Sequence, residues 1–223
     1  MLSEESIWIG NELLALAEKQ RLSPLLNFGS STGHFRETEQ PIIYKNIFEP
    51  LKEKNVQVYH LDIKQAEGVD FVGNVFEDKQ LYEQVKAKNV KAILCSNLLE
   101  HVPDTRPFYR ILEELVEDKG YILVTVPYRY PYHADPIDTG YRPTVEEVVK
   151  SFSNARLVKG EILTINQTHL QFMLKHPRLI FIVLLRFLTP FYRFSAWKRI
   201  VGDMPNLFKK FLVTCVLVEV NRK

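Results

Sequence analysis

Leu25-Leu26-Asn27-Phe28-Gly29-Ser30-Ser31-Thr32-Gly33 constrains the fold more than any other stretch of the chain. A short apolar run enters a turn of small residues with glycines four apart, as where a parallel α/β sheet opens a nucleotide pocket at the end of its first strand. Glycine permits positive φ and puts no Cβ in the way of a ligand. Val56-Gln57-Val58-Tyr59-His60-Leu61-Asp62 follows after one helix-length spacer and ends in a carboxylate. The tip of the second strand is where a doubly wound fold hydrogen-bonds a ribose diol through an acid. Strand, glycine turn, strand and acid in that order point to a nucleoside cofactor.

The remaining pattern extends this start into one domain over 1–223, since 223 residues suit a single sizeable core. Ser3 to Arg21 reads as a helix, and segment 1–22 caps one side of the fold. Polar His34 to Gln40 reads as a loop near the cofactor, with a helix starting at Pro41. Asp70-Phe71-Val72 is a third strand, and the helix after it turns Leu81 and Val85 inward and stops at Asn89. Val90 to Cys95 is a fourth strand. Phe108, Ile111, Leu112 and Leu115 share one helical face, with the helix ending at Gly120 and a fifth strand over Tyr121 to Val126. Thr144 and Glu147 form a capping-box pattern. Leu157 to Ile165 and Leu212 to Val220 are the sixth and seventh strands. The alternation makes the sheet mostly parallel, an α/β architecture with helices on both faces and an insertion at 166–210.

A formal charge of +2 gives no global argument for nucleic acid, so none is expected as a partner. Cys95 and Cys215 each lie in an apolar strand, which predicts buried thiols in a reducing compartment. Met1 to Ile9 carries two glutamates and no basic stretch before a long apolar core, so it does not read as a signal peptide. A cytoplasmic protein is the expectation.

Four blocks resemble the class I S-adenosylmethionine (SAM)-dependent methyltransferases, the seven-stranded Rossmann-like family: Asn27 to Gly33, Leu61-Asp62, Gly73-Asn74-Val75-Phe76, and Ser96-Asn97-Leu98-Leu99-Glu100-His101-Val102. The last is the most specific, because the glycine turn also occurs in nicotinamide enzymes. The resemblance spans about residues 22 to 165. It implies SAM as cofactor, with Asn27, Gly29, Ser31 and Gly33 in the methionine and ribose region and Asp62 on the ribose hydroxyls. It further implies Asn74 and Val75 at the adenine edge and Ser96 at the pocket floor. The family usually has an acid where Asn27 stands and a glycine where Ser31 stands. The Pro127 to Pro143 loop is similar in style to methyltransferases found with surface-glycan biosynthesis.

Methyl transfer from a sulfonium is an in-line displacement, so a base matters mainly when the acceptor is a hydroxyl. Pro131-Tyr132-His133-Ala134-Asp135-Pro136-Ile137-Asp138-Thr139-Gly140-Tyr141-Arg142 follows strand five, where the acceptor would meet the cofactor. His133 is the first choice of base, oriented by Asp135 or Asp138, with Arg142 gripping a polar acceptor and Tyr132 lining a sugar or ring site. The competing reading is a loop-holding ion pair between Asp138 and Arg142. His101, directly after strand four, is the alternative base. His133, Asp135 and Asp138 also offer mixed ligands at cation-binding spacing, but such spacing is common by chance and no metal is expected.

These residues predict SAM-dependent methyl transfer to a hydroxyl of a sugar-containing or other polar metabolite. The alternatives are a catalytically silent SAM-binding scaffold, suggested by Asn27 and Ser31, and a nicotinamide-dependent reductase. In the 166–210 insertion, Leu179 to Leu185 is apolar but too short to span a bilayer. From Lys175 to Lys210 there are eight Lys and Arg against one acid, Asp203, a local net of +7. Apolar plus basic suits a lid over a lipid-linked glycan acceptor or a peripheral contact with the inner face of a membrane through 175–210; the competing reading is a homodimer face.

Overall fold

The computed structural model describes residues 1–132, 137–175, 177–189, 191–192 and 194–222. Seven strands form one sheet: β1 (Leu25–Phe28), β2 (Val58–Asp62), β3 (Phe71–Val72), β4 (Val90–Ser96), β5 (Val116–Arg129), β6 (Ala155–Thr168) and β7 (Lys210–Val220). Their order is β3-β2-β1-β4-β5-β7-β6. The strands from β1 to β5 pair in parallel, whereas β7 is antiparallel to both β5 and β6. This is a Rossmann-like sheet, mostly parallel, with the reversal confined to one edge.

The period of two along each strand divides the core into two layers. On β7, Val216, Val218 and Val220 join one layer, while Phe211, Val213, Cys215 and Leu217 join the other. The first layer is covered by α4 (Lys79–Lys86), α5 (Thr105–Leu115) and α6 (Val145–Ser151), the second by α1 (Ser3–Glu18) and the helical stretch before β2. In that stretch α2 (Pro41–Ile43) and α3 (Glu49–Glu53) alternate with wide helical turns at Phe35–Glu39 and Tyr44–Phe48. Local chemistry fixes the helix starts. Asp78 accepts from the Leu81 amide at 2.9 Å, Asp104 accepts from that of Arg106 at 3.1 Å, and Thr144 and Glu147 exchange capping bonds of 3.2 and 2.7 Å. Asn89, at φ 49°, ends the turn after α4 in the left-handed region. Cys95 and Cys215 are buried and free, and burial pushes both thiols up.

Two expectations are corrected. His34 to Gln40 is not a loop, because the helix starts at Gly33 and passes into the wide turn Phe35–Glu39. Thr32 Oγ1 accepts from the Phe35 amide at 3.1 Å and caps that start, and the side chain of Arg36 turns inward. Helix α5 ends at Leu115 rather than Gly120, since Val116 already pairs with Val90 and the chain runs straight into β5.

The excursion between β6 and β7 is helical: α7 (His169–Lys175), α8 (Pro177–Leu188) and α9 (Phe194–Asp203). Because β7 runs against β5 and β6, it leaves from the sheet edge that carries the carboxyl ends of β1, β4 and β5. No helix among the described residues is long and apolar enough to cross a membrane.

Candidate functional site

A cleft of about 620 Å³ opens at the carboxyl ends of β1, β2 and β4. Its wall brings together Asn27, Gly29, Ser31, Asp62, Asn74, Val75, Ser96 and His101, residues separated by as much as 74 positions in sequence. Gly33 stands one step behind that wall, where its amide donates to the Glu67 carbonyl at 2.9 Å. At Gly29, φ is +74° and a Cβ would lie 2.6 Å from Leu98, so only glycine makes this turn without displacing that side chain.

The glycine turn is held from below by two charged side chains. Asp62 accepts from the Ser31 amide at 2.7 Å through Oδ2 and from the Lys64 amide at 3.0 Å through Oδ1. Arg36, which the sequence reading missed, is buried and donates to the carbonyls of Ser30, Ser31 and Gly68 at 3.0, 2.8 and 2.6 Å. Burial lowers its pKa below the ordinary arginine value. Ser31 sits at φ 54°, a left-handed conformation that costs a non-glycine residue about 1–2 kcal/mol. Its amide and carbonyl are both fixed by these charged groups, which explains how serine occupies a position where the family usually has glycine.

Asn27 replaces the usual acid with a neutral pair: its Nδ2 donates to His60 Nδ1 at 3.1 Å. Burial, and then the charge of Arg36, push the His60 imidazole down to about 3. The folded state therefore binds fewer protons than the unfolded chain below the unfolded pKa. The stability this pair contributes is present above about pH 6.5 and is lost as pH falls from there toward 3. In an NMR titration, His60 should stay neutral down to pH 4. Asn27→Asp, by placing a carboxylate beside the ring, should raise the midpoint by about 1 to 3 pH units. A His60 midpoint near 6.5 in the unsubstituted protein would overturn this account.

A second buried acid reaches the site from α1. Glu5 accepts from Asn97 Nδ2 at 2.7 Å and from Thr125 Oγ1 at 2.6 Å, which ties the helix to the ends of β4 and β5. Gly10 allows that docking, because a Cβ there would meet the Asn46 carbonyl at 2.1 Å. The acidic first turn of α1 was visible in sequence. Its inward direction was not.

Beside the cleft, the turn Leu99–His101 places a third buried acid. Glu100 is 1% exposed, and its Oε2 has no hydrogen-bond partner among the described residues. Its Oε1 lies 3.8 Å from His101 Nε2, while His101 Nδ1 bonds the Ile137 carbonyl. Burial pushes the Glu100 carboxyl up to about 7. The Glu100 carbonyl also accepts from the amide and hydroxyl of Thr139 at 2.8 and 3.1 Å, so the loop carrying Thr139 is fastened to the turn after β4.

Of the loop residues, His133 and Asp135 lie outside the described residues. Asp138 and Arg142 form the loop-holding ion pair, 2.7 Å long, and Asp138 also accepts from the Gly140 amide at 2.9 Å. Neither they nor half-exposed Tyr132 lines the cleft; they stand on the loop beside it.

The sheet order, glycine turn and acid-tipped second strand define a nucleoside-binding α/β enzyme class. Residues 8–173 match the family model described as "Methyltransferase domain", and the chain belongs to that family. With the four blocks on one cleft, it is a class I SAM-dependent methyltransferase with SAM as cofactor. No curated protein sequence matches it. Among solved structures it is similar to coclaurine N-methyltransferase bound to N-methylheliamine and SAH: 15% identity, TM-score 0.56, covering 96% of this chain and 70% of that one. The [4+2]-cyclase SpnF gives 13%, 0.51, 96% and 82%, and a SAM-dependent methyltransferase from Archaeoglobus fulgidus 12%, 0.50, 96% and 94%. At these identities the likeness is one of fold.

Proposed function

We propose that this protein transfers the methyl group of SAM to a hydroxyl of a sugar-containing or other polar acceptor, working in the cytoplasm. The observation that carries the reading is the convergence of Gly29, Asp62, Asn74, Val75 and Ser96 on one cleft with a histidine on its wall and a buried carboxyl next to that histidine. The cleft has the size of sites that enclose a ligand such as SAM. Asp62 and the turn amides would hold the ribose and methionine parts, and Asn74 and Val75 the adenine edge. When bound, SAM supplies a methyl carbon already activated by its sulfonium.

What remains for the chain is to hold the acceptor in line, exclude water and accept one proton. His101, backed by Glu100, or His133 takes that proton, while Tyr132 and the loop carrying Asp138 and Arg142 form the acceptor side. A second reading, a silent SAM-binding protein, draws on Asn27 and Ser31 and on the fold's likeness to a named cyclase.

Calorimetry with SAH, SAM and NAD, followed by transfer of labelled methyl from SAM to soluble sugars and lipid-linked glycan precursors, tests both. SAM binding with labelled O-methyl product supports the proposal. Binding without turnover on any acceptor supports the silent reading, and preference for NAD overturns both.

A further inference from the structure

More than half of the large apolar side chains that the described residues leave exposed lie between Leu174 and Phe208. On α8, Phe181, Leu184, Leu185 and Leu188 recur at i, i+3, i+4 and i+7, so they form one stripe, and each is more than half exposed. Phe191, fully exposed, and Phe194 continue it toward α9. Arg178 and Arg186 on α8 and Lys198 on α9 are exposed cations of the same segment, and Lys175, Lys209 and Lys210 at its two ends are exposed as well. Asp203 is the single acid in that stretch of sequence.

The hairpin is joined within itself, and the chain at its base is packed on the sheet. Trp197 Nε1 donates to the Phe187 carbonyl at 3.2 Å and its ring stacks on Phe194, which joins α9 to α8. At the base, Phe211 of β7 packs against Tyr130 at 4.8 Å and Phe172 at 6.0 Å. Arg129 donates to the Lys210 carbonyl at 2.9 and 2.7 Å, so the end of β5, from which the acceptor loop departs, is fastened to the start of β7.

We propose that the α8–α9 face docks on an anionic phospholipid surface and presents the cleft to an acceptor held at that surface. The choice of acceptor source rests on the methyltransferase reading; the docking itself does not. Twelve residues of α8 span about 18 Å, short of the roughly 30 Å hydrocarbon core, so the helix lies in the interface with its phenylalanines and leucines among the acyl chains. The cations of the segment then face lipid phosphates. A second copy of this chain is the poorer occupant, because joining two such faces would bring two strongly basic surfaces together.

The chain should cosediment with phosphatidylglycerol-containing vesicles at low salt, bind phosphatidylcholine vesicles far more weakly, and lose most of the difference in 1 M salt, where the screening length shortens to about 3 Å. Arg178→Glu, Arg186→Glu and Lys198→Glu together, all at exposed positions, should lower the partition at least about tenfold. Phe181→Ser with Leu185→Ser should abolish it. SAH calorimetry on the same preparations should be unchanged, which shows that the variants are folded. Absence of vesicle binding at low salt would overturn docking, as would a concentration-dependent dimer in sedimentation velocity that the serine variant abolishes. Vesicle binding by a protein that binds no SAM would leave docking standing and remove the methyltransferase reading.

Discussion

Asp62→Ala should weaken SAM binding at least about tenfold, and Arg36→Ala should cost both SAM binding and stability, the latter by about 3 kcal/mol. The two changes remove opposite halves of one cradle. Without Asp62, the amides of Ser31 and Lys64 lose a charged acceptor at the cleft wall, and on the proposed reading the ribose loses its carboxylate; hydrogen bonds to charged groups contribute about 1.5–3 kcal/mol each. Without Arg36, the carbonyls of Ser30, Ser31 and Gly68 lose their donors in a buried place, and the left-handed Ser31 loses half of what holds it. Arg36→Lys should not rescue the loss, since one compact ammonium cannot reproduce the fork that meets three carbonyls. Calorimetry separates the effects from thermal melting. Unchanged SAM affinity in Asp62→Ala would remove the ribose assignment and leave Asp62 as a brace for the turn.

This cradle also shows where sequence stopped being readable. The glycine turn, the acid at the second strand tip and the strands that carry them were legible because apolar runs, turn residues and helix faces are local patterns. The partners Ser31–Asp62 and Asn27–His60 were not, because they arise from register: β1 aligns Asn27 with His60 and Phe28 with Leu61. Arg36 was lost for another reason. A polar run such as His34 to Gln40 has no apolar period, so it reads as loop, while the structure spends its one arginine on backbone carbonyls and exposes most of the rest. Glu5 and Glu100 were visible as acids, one at a helix start and one in a motif. Their burial depends on α1 docking through Gly10 and on the loop carrying Thr139 folding over the turn after β4, contacts between segments far apart in sequence.

Glu100 and His101 carry the other large prediction. His101→Ala should reduce methyl transfer by about 10² to 10⁴ with a much smaller effect on SAM affinity, the loss typical of a missing general base. The same change at His133 decides between the two histidines, and an inactive His133→Ala with a fully active His101→Ala would make His133 the base. Glu100→Gln then tests the buried carboxyl by two readouts with opposite signs. Because burial holds the folded-state carboxyl near 7 against 4.5 in the unfolded chain, its stabilising contribution is complete below pH 4.5 and is lost as pH rises through 7. Glu100→Gln should accordingly melt higher than the unsubstituted protein at pH 8, by on the order of 2 kcal/mol, and the advantage should vanish at pH 5. Activity should move the other way. If the ionised carboxylate supports the imidazole 3.8 Å away, the rate rises through about pH 7, and Glu100→Gln loses both that limb and most of the turnover. A variant that gains stability at pH 8 while keeping the full rate would show that Glu100 only ties the loop to the turn. Loss of rate together with gain of stability is the mark of a charge kept buried for the chemistry beside it.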